Sequence, residues 1–454
     1  MIPVVTPAEM AAIDAAAPEP VAVLVERAGW AVARAARRLL GACYGRRIVV
    51  VAGPGNNGAD GRAAAAVLAR EGARCWVLDA REAPPELPAA DLVIDAAFGT
   101  GLSRPWSAPR PPAGVPVLAV DIPSGVDGTT GERLGDPVAV DRTVTFAALK
   151  PGLLLTPGRI LAGRVEVADI GLDVGGARSH VVEDPDAAGW IPPRAVDAHK
   201  WRSAVRLVGG SPGMSGAPRL AAAAALRAGA GYVQIASPGV AAPPGPVEAV
   251  GLALPAADWV PAAREGLERV AAVAVGPGLG RGHDDELAAF VASVPVPLVV
   301  DGDALTPPVV NAAAARGAPT IVTPHDGEWV RLGGDVGADR FAATRAAAER
   351  WGVVVVRKGP VTLVAAPDGR LRVVTSGDER LATAGTGDVL TGVVAALLAR
   401  GADAFDAAAA GAHLHGRAAG LGPREGLVAG DVVDRLPDAL AHLRDAGASA
   451  GGRR

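Results

Sequence analysis

Aromatic residues, cysteine and any excess of basic charge are scarce in this 454-residue chain, and each shortage excludes something. Aromatics make up 3% of residues although 50% are hydrophobic, so the cores must be packed from Ala, Val and Leu. Small side chains of this kind let helices lie close on a sheet. Cys43 and Cys75 are the two cysteines and form no Cys-x-x-Cys pair. A disulfide framework is excluded, and two inert thiols in a reducing cytosol are expected. Formal net charge is −4 with acids and bases interspersed. There is no basic stripe to neutralise phosphates, which excludes nucleic acid as a partner. No run of about 18 uncharged apolar residues exists, since Arg400, Asp403 and Asp406 interrupt the most apolar stretch, and no membrane association is expected. The first seven residues carry no basic segment leading into an apolar one, so no secretory signal is expected and the location is read as cytoplasmic. Gly-x-x-x-x-Gly-Lys-[Ser/Thr] does not occur, which excludes a P-loop.

What is present is a regular alternation of short Val/Ile/Leu runs with Ala-rich helical stretches, the pattern of β-α-β units on a largely parallel sheet. The length fits two domains. In the first half, strands are expected at Ile48–Val51, Cys75–Leu78, Leu92–Ile94 and Val117–Val120. All are continuous rather than alternating, and so are expected to be central. Pro192-Pro193 cannot join a sheet interior or a helix, which sets the domains at 1–192 and 196–448, with 449–454 as a frayed tail. In the second half, strands are expected at Val205–Val208, Tyr232–Ile235, Ala272–Val275, Leu298–Val300, Thr320–Val322 and Val353–Val356. That arrangement is a larger, doubly wound sheet.

Glycine turns at strand ends carry the candidate chemistry. Gly53-Pro-Gly-Asn-Asn-Gly-Ala-Asp-Gly61 joins a strand to a helix, where backbone N–H groups can approach an anion without Cβ interference; a structural turn is the alternative. Two more loops follow strand ends, the edge at which open α/β sheets bind ligands. They are Asp95-Ala-Ala-Phe-Gly-Thr-Gly-Leu-Ser-Arg-Pro105 and Asp121-Ile-Pro-Ser-Gly-Val-Asp127. Oxygens of Asn57, Asp95 and Ser124 can converge on a hard cation, leaving Asp121 as a candidate acid/base. The plainer reading is that both aspartates cap turns.

In the second half Leu381-Ala-Thr-Ala-Gly-Thr-Gly-Asp388 opens a long Ala/Leu helix. Free N–H groups and the dipole there can stabilise transferring phosphate oxygens, and Asp388 can accept the proton of an attacking hydroxyl. A helix-capping Asp388 is the alternative. Lys358-Gly-Pro-Val-Thr362, Gly276-Pro-Gly-Leu-Gly280 and Thr323-Pro-His-Asp-Gly-Glu328 also end strands and converge on the same edge. His325 is read either as a proton donor or as a structural residue. His413 and His415, two apart on a helix, face different sides and do not suit a metal pair.

Gly53 to Gly61, Val120-Asp-Ile-Pro-Ser-Gly125 and Thr145-Phe-Ala-Ala-Leu-Lys-Pro-Gly152 resemble the NAD(P)H-hydrate epimerase family over essentially the whole first domain. The resemblance implies a Rossmann-like three-layer fold and interconversion of R and S hydrates of NADH and NADPH. It implies substrate contacts at Asn56, Asn57, Gly58, Ala59, Asp60, Gly99, Thr100, Gly101, Leu102, Ser103, Arg104, Pro105 and Asp121, with Asp121 catalytic. It also implies a potassium ion (K+) on Asn57, Asp95 and Ser124. Ala59 stands where that family usually has Gly, and Arg27 where it usually has Asn.

The second-half segments, with Val208-Gly-Gly-Ser-Pro-Gly-Met-Ser-Gly-Ala-Pro218, Ala228-Gly-Ala-Gly231 and Asp301-Gly-Asp-Ala-Leu305, resemble ribokinase-like NAD(P)H-hydrate dehydratases across nearly the entire domain. Asp326 replaces the family's usual Pro in what reads as a loop. Implied are hydrate contacts at Ala217, Gly278, His325 and Asp388, and nucleotide contacts at Lys358, Gly359, Pro360, Val361, Thr362 and Gly387. ADP with magnesium (Mg2+) is the implied co-substrate, Asp388 the base that frees the C6 hydroxyl of the S hydrate to attack the terminal phosphoryl. An assembly of identical subunits is expected. The rival reading is a vitamin-type small-molecule kinase with a non-catalytic N-terminal binding module.

Overall fold

The computed structural model describes residues 1–337 and 339–451, which divide into two compact units, Ile2–Ser179 and His180–Arg454 together with Met1. The division thus falls ahead of the proline stretch that marked it in the sequence. The reason is the helix Asp184–Trp190, which packs on the helices Ala404–Leu421 and Ala429–Gly451. Asp184 there meets His413 at 2.7 Å, and Trp190 carries the Arg372 guanidinium 3.6 Å from its ring centre. The strand Ser179–Val181 leads into it, and Val182 N–H donates to the Val373 carbonyl at 3.0 Å. The expected tail is also corrected: the last helix runs on through Gly451, while residues 452–454 lie outside the described residues.

In the N-terminal unit the sheet order is Arg74–Asp79, Arg47–Ala52, Leu92–Ala96, Val117–Val120, Arg142–Phe146 and Arg164–Ala168, all parallel. Ile48 to Ala52 and Leu92 to Ile94 are buried on both faces, as continuous apolar runs require. Cys75–Leu78, expected to be central, is instead an edge strand with Trp76 and Val77 exposed. Its apolar run covers one flank only, and periodicity does not distinguish that from a buried strand. The pairing leaves Arg47–Ala52 in sequence order on both sides: its next strand lies on one flank and the one after on the other. That reversal opens a crevice at the carboxyl ends of Arg47–Ala52 and Leu92–Ala96.

The C-terminal unit repeats the device on a larger sheet. From Leu371–Val374 the order runs through Thr362–Ala365, Val354–Arg357, Thr320–Val322, Leu298–Val300, Ala272–Val275, Ala204–Val208, Tyr232–Pro238 and Val250–Leu254. The strands Thr362–Ala365 and Leu371–Val374 are antiparallel to their neighbours, and the rest of the run is parallel. Strand order reverses between Ala204–Val208 and Ala272–Val275, and the helix Thr386–Ala399 lies across both. Its approach depends on small residues: a Cβ added at Gly392 would sit 2.0 Å from the Ala221 carbonyl oxygen. Nearly every residue of that helix is buried, so its N-terminus is held rigidly at the crevice.

Candidate active sites

The N-terminal crevice is built where the strand Arg47–Ala52 turns into the helix Asn56–Arg70. Gly58 is obligatory at this turn, because an added Cβ would lie 1.9 Å from the Gly53 carbonyl oxygen. Gly55 caps the helix without a side-chain bond, which leaves the first N–H groups free to face an anion. Asn57 donates its Nδ2 to the Val120 carbonyl at 2.6 Å, while its Oδ1 is buried with no hydrogen-bond partner among the described residues. Asp95, at the next strand end, accepts from Ser124 N–H at 2.8 Å and from Ser124 Oγ at 2.6 Å. Burial pushes its carboxyl upward against those two bonds.

Asp121 sits in left-handed backbone, φ 66°, which aims its carboxylate off the strand end. It accepts from Lys150 Nζ at 2.6 Å and from Thr145 Oγ1 at 2.9 Å. Lys150 is 1% exposed and also donates to Thr145 Oγ1 and the Phe146 carbonyl. A cavity of about 520 Å³ opens over these groups, and Asn56, Asn57, Asp60, the 99–104 loop and Asp121 are among its lining. Two further lining residues, Asp14 and Lys150, were not singled out. The lysine was visible only as part of a quoted segment, and Asp14 carries no motif. Gly58, Ala59 and Pro105 do not line the cavity; the first two are rotated off the helical face that presents Asn56, Asn57 and Asp60. Asp95 and Ser124 are not part of the lining; Ser124 is buried and Asp95 half-buried. Arg27 turns away as well, donating to the Ile170 carbonyl at 2.8 Å and pairing with Glu19 at 3.3 Å.

In the C-terminal unit, Asp388 stands in the first turn of Thr386–Ala399, after Gly385 at φ 90°. Burial lifts its carboxyl to about 7, with the charge of Asp301 adding and that of Lys358 opposing. Asp301 lies beneath: its Oδ1 accepts from Lys358 Nζ at 2.8 Å and Thr323 Oγ1 at 2.6 Å, and its Oδ2 from Thr391 Oγ1 at 2.7 Å. Burial alone would raise Asp301, yet Lys358 and the hydroxyls hold it below the ordinary carboxylate range. Gly276, φ 126°, admits no side chain here, since a Cβ would fall 1.7 Å from the Asp301 carbonyl oxygen.

Lys358 therefore points inward, between Asp301 and Glu328, the latter at 3.6 Å. A Cβ at Gly387 would lie 3.5 Å from its ammonium and one at Gly278 3.2 Å from the Ala217 Cβ, so these implied contacts fall in two pairs. Val361 is buried, whereas Gly359 and Pro360 are exposed and Thr362 opens a strand. His325 caps the helix Asp326–Arg331, its Nδ1 accepting from Gly327 and Glu328 N–H. Asp326 is the first residue of that helix rather than part of a loop, and it pairs with Arg340 at 2.8 Å. His413 binds Asp184, while burial drives His415 down to about 4; the two share no partner. Among the described residues no group of three His, Cys, Asp or Glu side chains is placed to hold a metal, and no helix is long and apolar enough to cross a membrane. Burial pushes both cysteine thiols upward, away from the reactive thiolate.

Two open α/β units, each with a carboxylate at a strand-order reversal beside a helix N-terminus, define a two-site enzyme class. A solved ribokinase-like superfamily protein from Enterococcus faecalis, 22% identical, overlays 58% of this chain and 96% of its own with a TM-score of 0.51, which shows the C-terminal fold to be ribokinase-like. Residues 205–440 match the family described as NAD(P)H-hydrate dehydratase, and residues 21–88 and 77–152 match the YjeF-related protein N-terminus. The bifunctional NAD(P)H-hydrate repair enzyme Nnr of Moorella thermoacetica is 37% identical, over 97% of this chain and 97% of its own. The enzyme of that name from Salinibacter ruber is 36% identical, over 97% and 96%. The chain belongs to the family of bifunctional NAD(P)H-hydrate repair enzymes.

Proposed function

We propose that the first domain interconverts the R and S hydrates of NADH and NADPH, and that the second dehydrates the S form to the dihydronicotinamide at the expense of ADP, releasing AMP and phosphate. The observation that carries the second step is Asp388. It is a carboxylate without a salt bridge among the described residues, lifted to about 7, at the mouth of a helix N-terminus. A base near the working pH accepts a hydroxyl proton efficiently yet is ionised often enough to act. Once the C6 oxygen carries the terminal phosphoryl, a poor leaving group has become a good one, and loss of phosphate from C6 with a proton from C5 restores the ring double bond. The N–H groups ahead of Asp388 stabilise the charge that shifts onto phosphate oxygens.

Magnesium suits this site: Asp301, Asp303, Glu328 and Asp388 act on one another with Lys358 as the opposing cation, a charge balance that favours a metal brought in on phosphates. Bound there, it would neutralise phosphate charge, held through Asp303, whose charge acts on Asp388. In the first domain Asp121, paired with Lys150, is the acid/base group. Potassium suits Asn57, Asp95 and Ser124, because the buried Asn57 Oδ1 has no hydrogen-bond partner among the described residues and a cation would favour the charged form of Asp95 that desolvation opposes. The ion would supply that missing partner. Exposed Gly359 and Pro360, with Thr362, would grip the nucleotide by backbone, Lys358 serving the carboxylates beneath.

Incubating the protein with S hydrate and either ADP or ATP tests the dehydratase reading. Dihydronicotinamide absorbance returning in step with inorganic phosphate, faster with ADP, is expected. A stable phosphorylated product would instead make the protein a kinase.

A further inference from the structure

Inverting the configuration at C6 requires a bond at that carbon to break, and two are available. Ring opening breaks N1–C6 and needs a base at the hydroxyl. Dehydration breaks C6–O and needs an acid, because hydroxide leaves poorly. The N-terminal cavity contains both kinds of group.

Asp121 is in an ion pair with Lys150. Asp60, on the helix Asn56–Arg70, lines the same cavity, is 8% exposed and has no hydrogen-bond partner among the described residues. Asp14, on the helix Pro7–Ala16, faces it from a third element. The charges that act on Asp60 are those of Asp121 and Asp14; of the cations lining the cavity, Lys150 is already bound to Asp121, and Arg104 stands on the 99–104 loop. Of the three carboxyl groups in this cavity, Asp121 is paired with a cation and Asp60 is not, the arrangement by which acid and base roles are divided.

We propose that Asp60 is the proton donor of the N-terminal site, that epimerisation proceeds by cleavage of the C6–O bond, and that Asp121 takes the proton of the water that re-adds. This rests on the reading of the first domain as a hydrate epimerase. Asp60 gives its proton to the C6 hydroxyl oxygen; that oxygen leaves as water with the bonding pair, and the N1 lone pair forms the N1=C6 iminium bond. Water adds to the other face of C6, the N1=C6 pair returns to nitrogen, and the extra proton passes to Asp121. Exchange of that proton back to Asp60 through the cavity resets the site, and nothing is oxidised or reduced. Burial, reinforced by the charges of Asp121 and then Asp14, pushes Asp60 up to about 8, which keeps it protonated near neutrality.

The test uses the full chain without nucleotide, so that the second step is silent, with pure R hydrate in 18O-water and a parallel sample lacking enzyme. Newly formed S hydrate is expected to carry solvent oxygen at C6 above the enzyme-free sample. Asp60→Asn is expected to slow interconversion by about 100-fold or more while dehydrating S hydrate with ADP at the wild-type rate. Unlabelled S hydrate from the wild type would mean ring opening and overturn the proposal, a result that does not depend on how the variant folds. Interconversion by Asp60→Asn within fivefold of wild type would also overturn it. If the wild type forms no S hydrate at all, the epimerase reading itself falls.

Discussion

Each unit places a lysine, buried in the first and partly buried in the second, against an aspartate at its sheet crevice, but the two pairs have different consequences. In the N-terminal unit Lys150 meets Asp121, the aspartate that lines the cavity, at 2.6 Å. In the C-terminal unit Lys358 meets Asp301 at 2.8 Å, which is buried below, and leaves Asp388 without a salt bridge among the described residues. One lysine anchors the carboxylate that faces substrate; the other neutralises a second carboxylate, whose residual field lifts the first. An ion pair fixes geometry, whereas burial beside a like charge raises a base toward neutrality. The difference suits a proton acceptor held in place by a cation in one site and a base raised toward neutrality in the other.

The largest effects should come from removing the two cavity carboxylates in turn. Asp388→Asn is expected to lower dehydration of pure S hydrate by about 1,000-fold while epimerisation of R hydrate stays within twofold, and Asp121→Asn to do the reverse. Loss of both activities in either variant would break the comparison. Next, Lys150→Met strands Asp121 in the interior, a change that typically costs about 3–5 kcal/mol. Calorimetry should show the N-terminal transition falling while ADP-dependent dehydration persists.

A smaller and more diagnostic change is Asp301→Asn. It removes the nearest negative charge from Asp388 and frees Lys358 to pair with it, so the C-terminal site comes to resemble the N-terminal one. In the wild type, kcat/KM for dehydration should fall as pH drops through about 7, because the base is then protonated. In the variant that limb should move to lower pH, by about one unit. The smallest effect is expected for Arg27→Asn, since Arg27 does not itself line the cavity and loses only its bonds to the Ile170 carbonyl and Glu19. Epimerisation measured on R hydrate should change less than about twofold, as for surface substitutions generally.

Glycine turns were legible in the sequence because the backbone permits little else at them: a Cβ at Gly58 or Gly276 would collide with a carbonyl oxygen. Asp388 and Asp121 were legible because each adjoins such a turn. The partners were not. Asp301 and Thr391 meet across ninety positions of sequence, and their hydrogen bond exists only once the helix Thr386–Ala399 lies on the sheet. Local pattern likewise could not tell that Cys75–Leu78 forms an edge, nor that Asp184–Trp190 belongs to the C-terminal unit. The short helix there is set by tertiary contacts through Asp184 and Trp190, which outweigh the helix-breaking signal of the prolines beyond it.

The central claim, two successive steps on separate carboxylates in one chain, is tested most directly by a time course on pure R hydrate with and without ADP. Without nucleotide the R form should relax to a mixture of R and S hydrates and stop. Adding ADP should then drain both forms to dihydronicotinamide with one phosphate released per ring restored. R hydrate that stays unchanged without ADP, or that ends as a phosphorylated compound with it, would contradict the account.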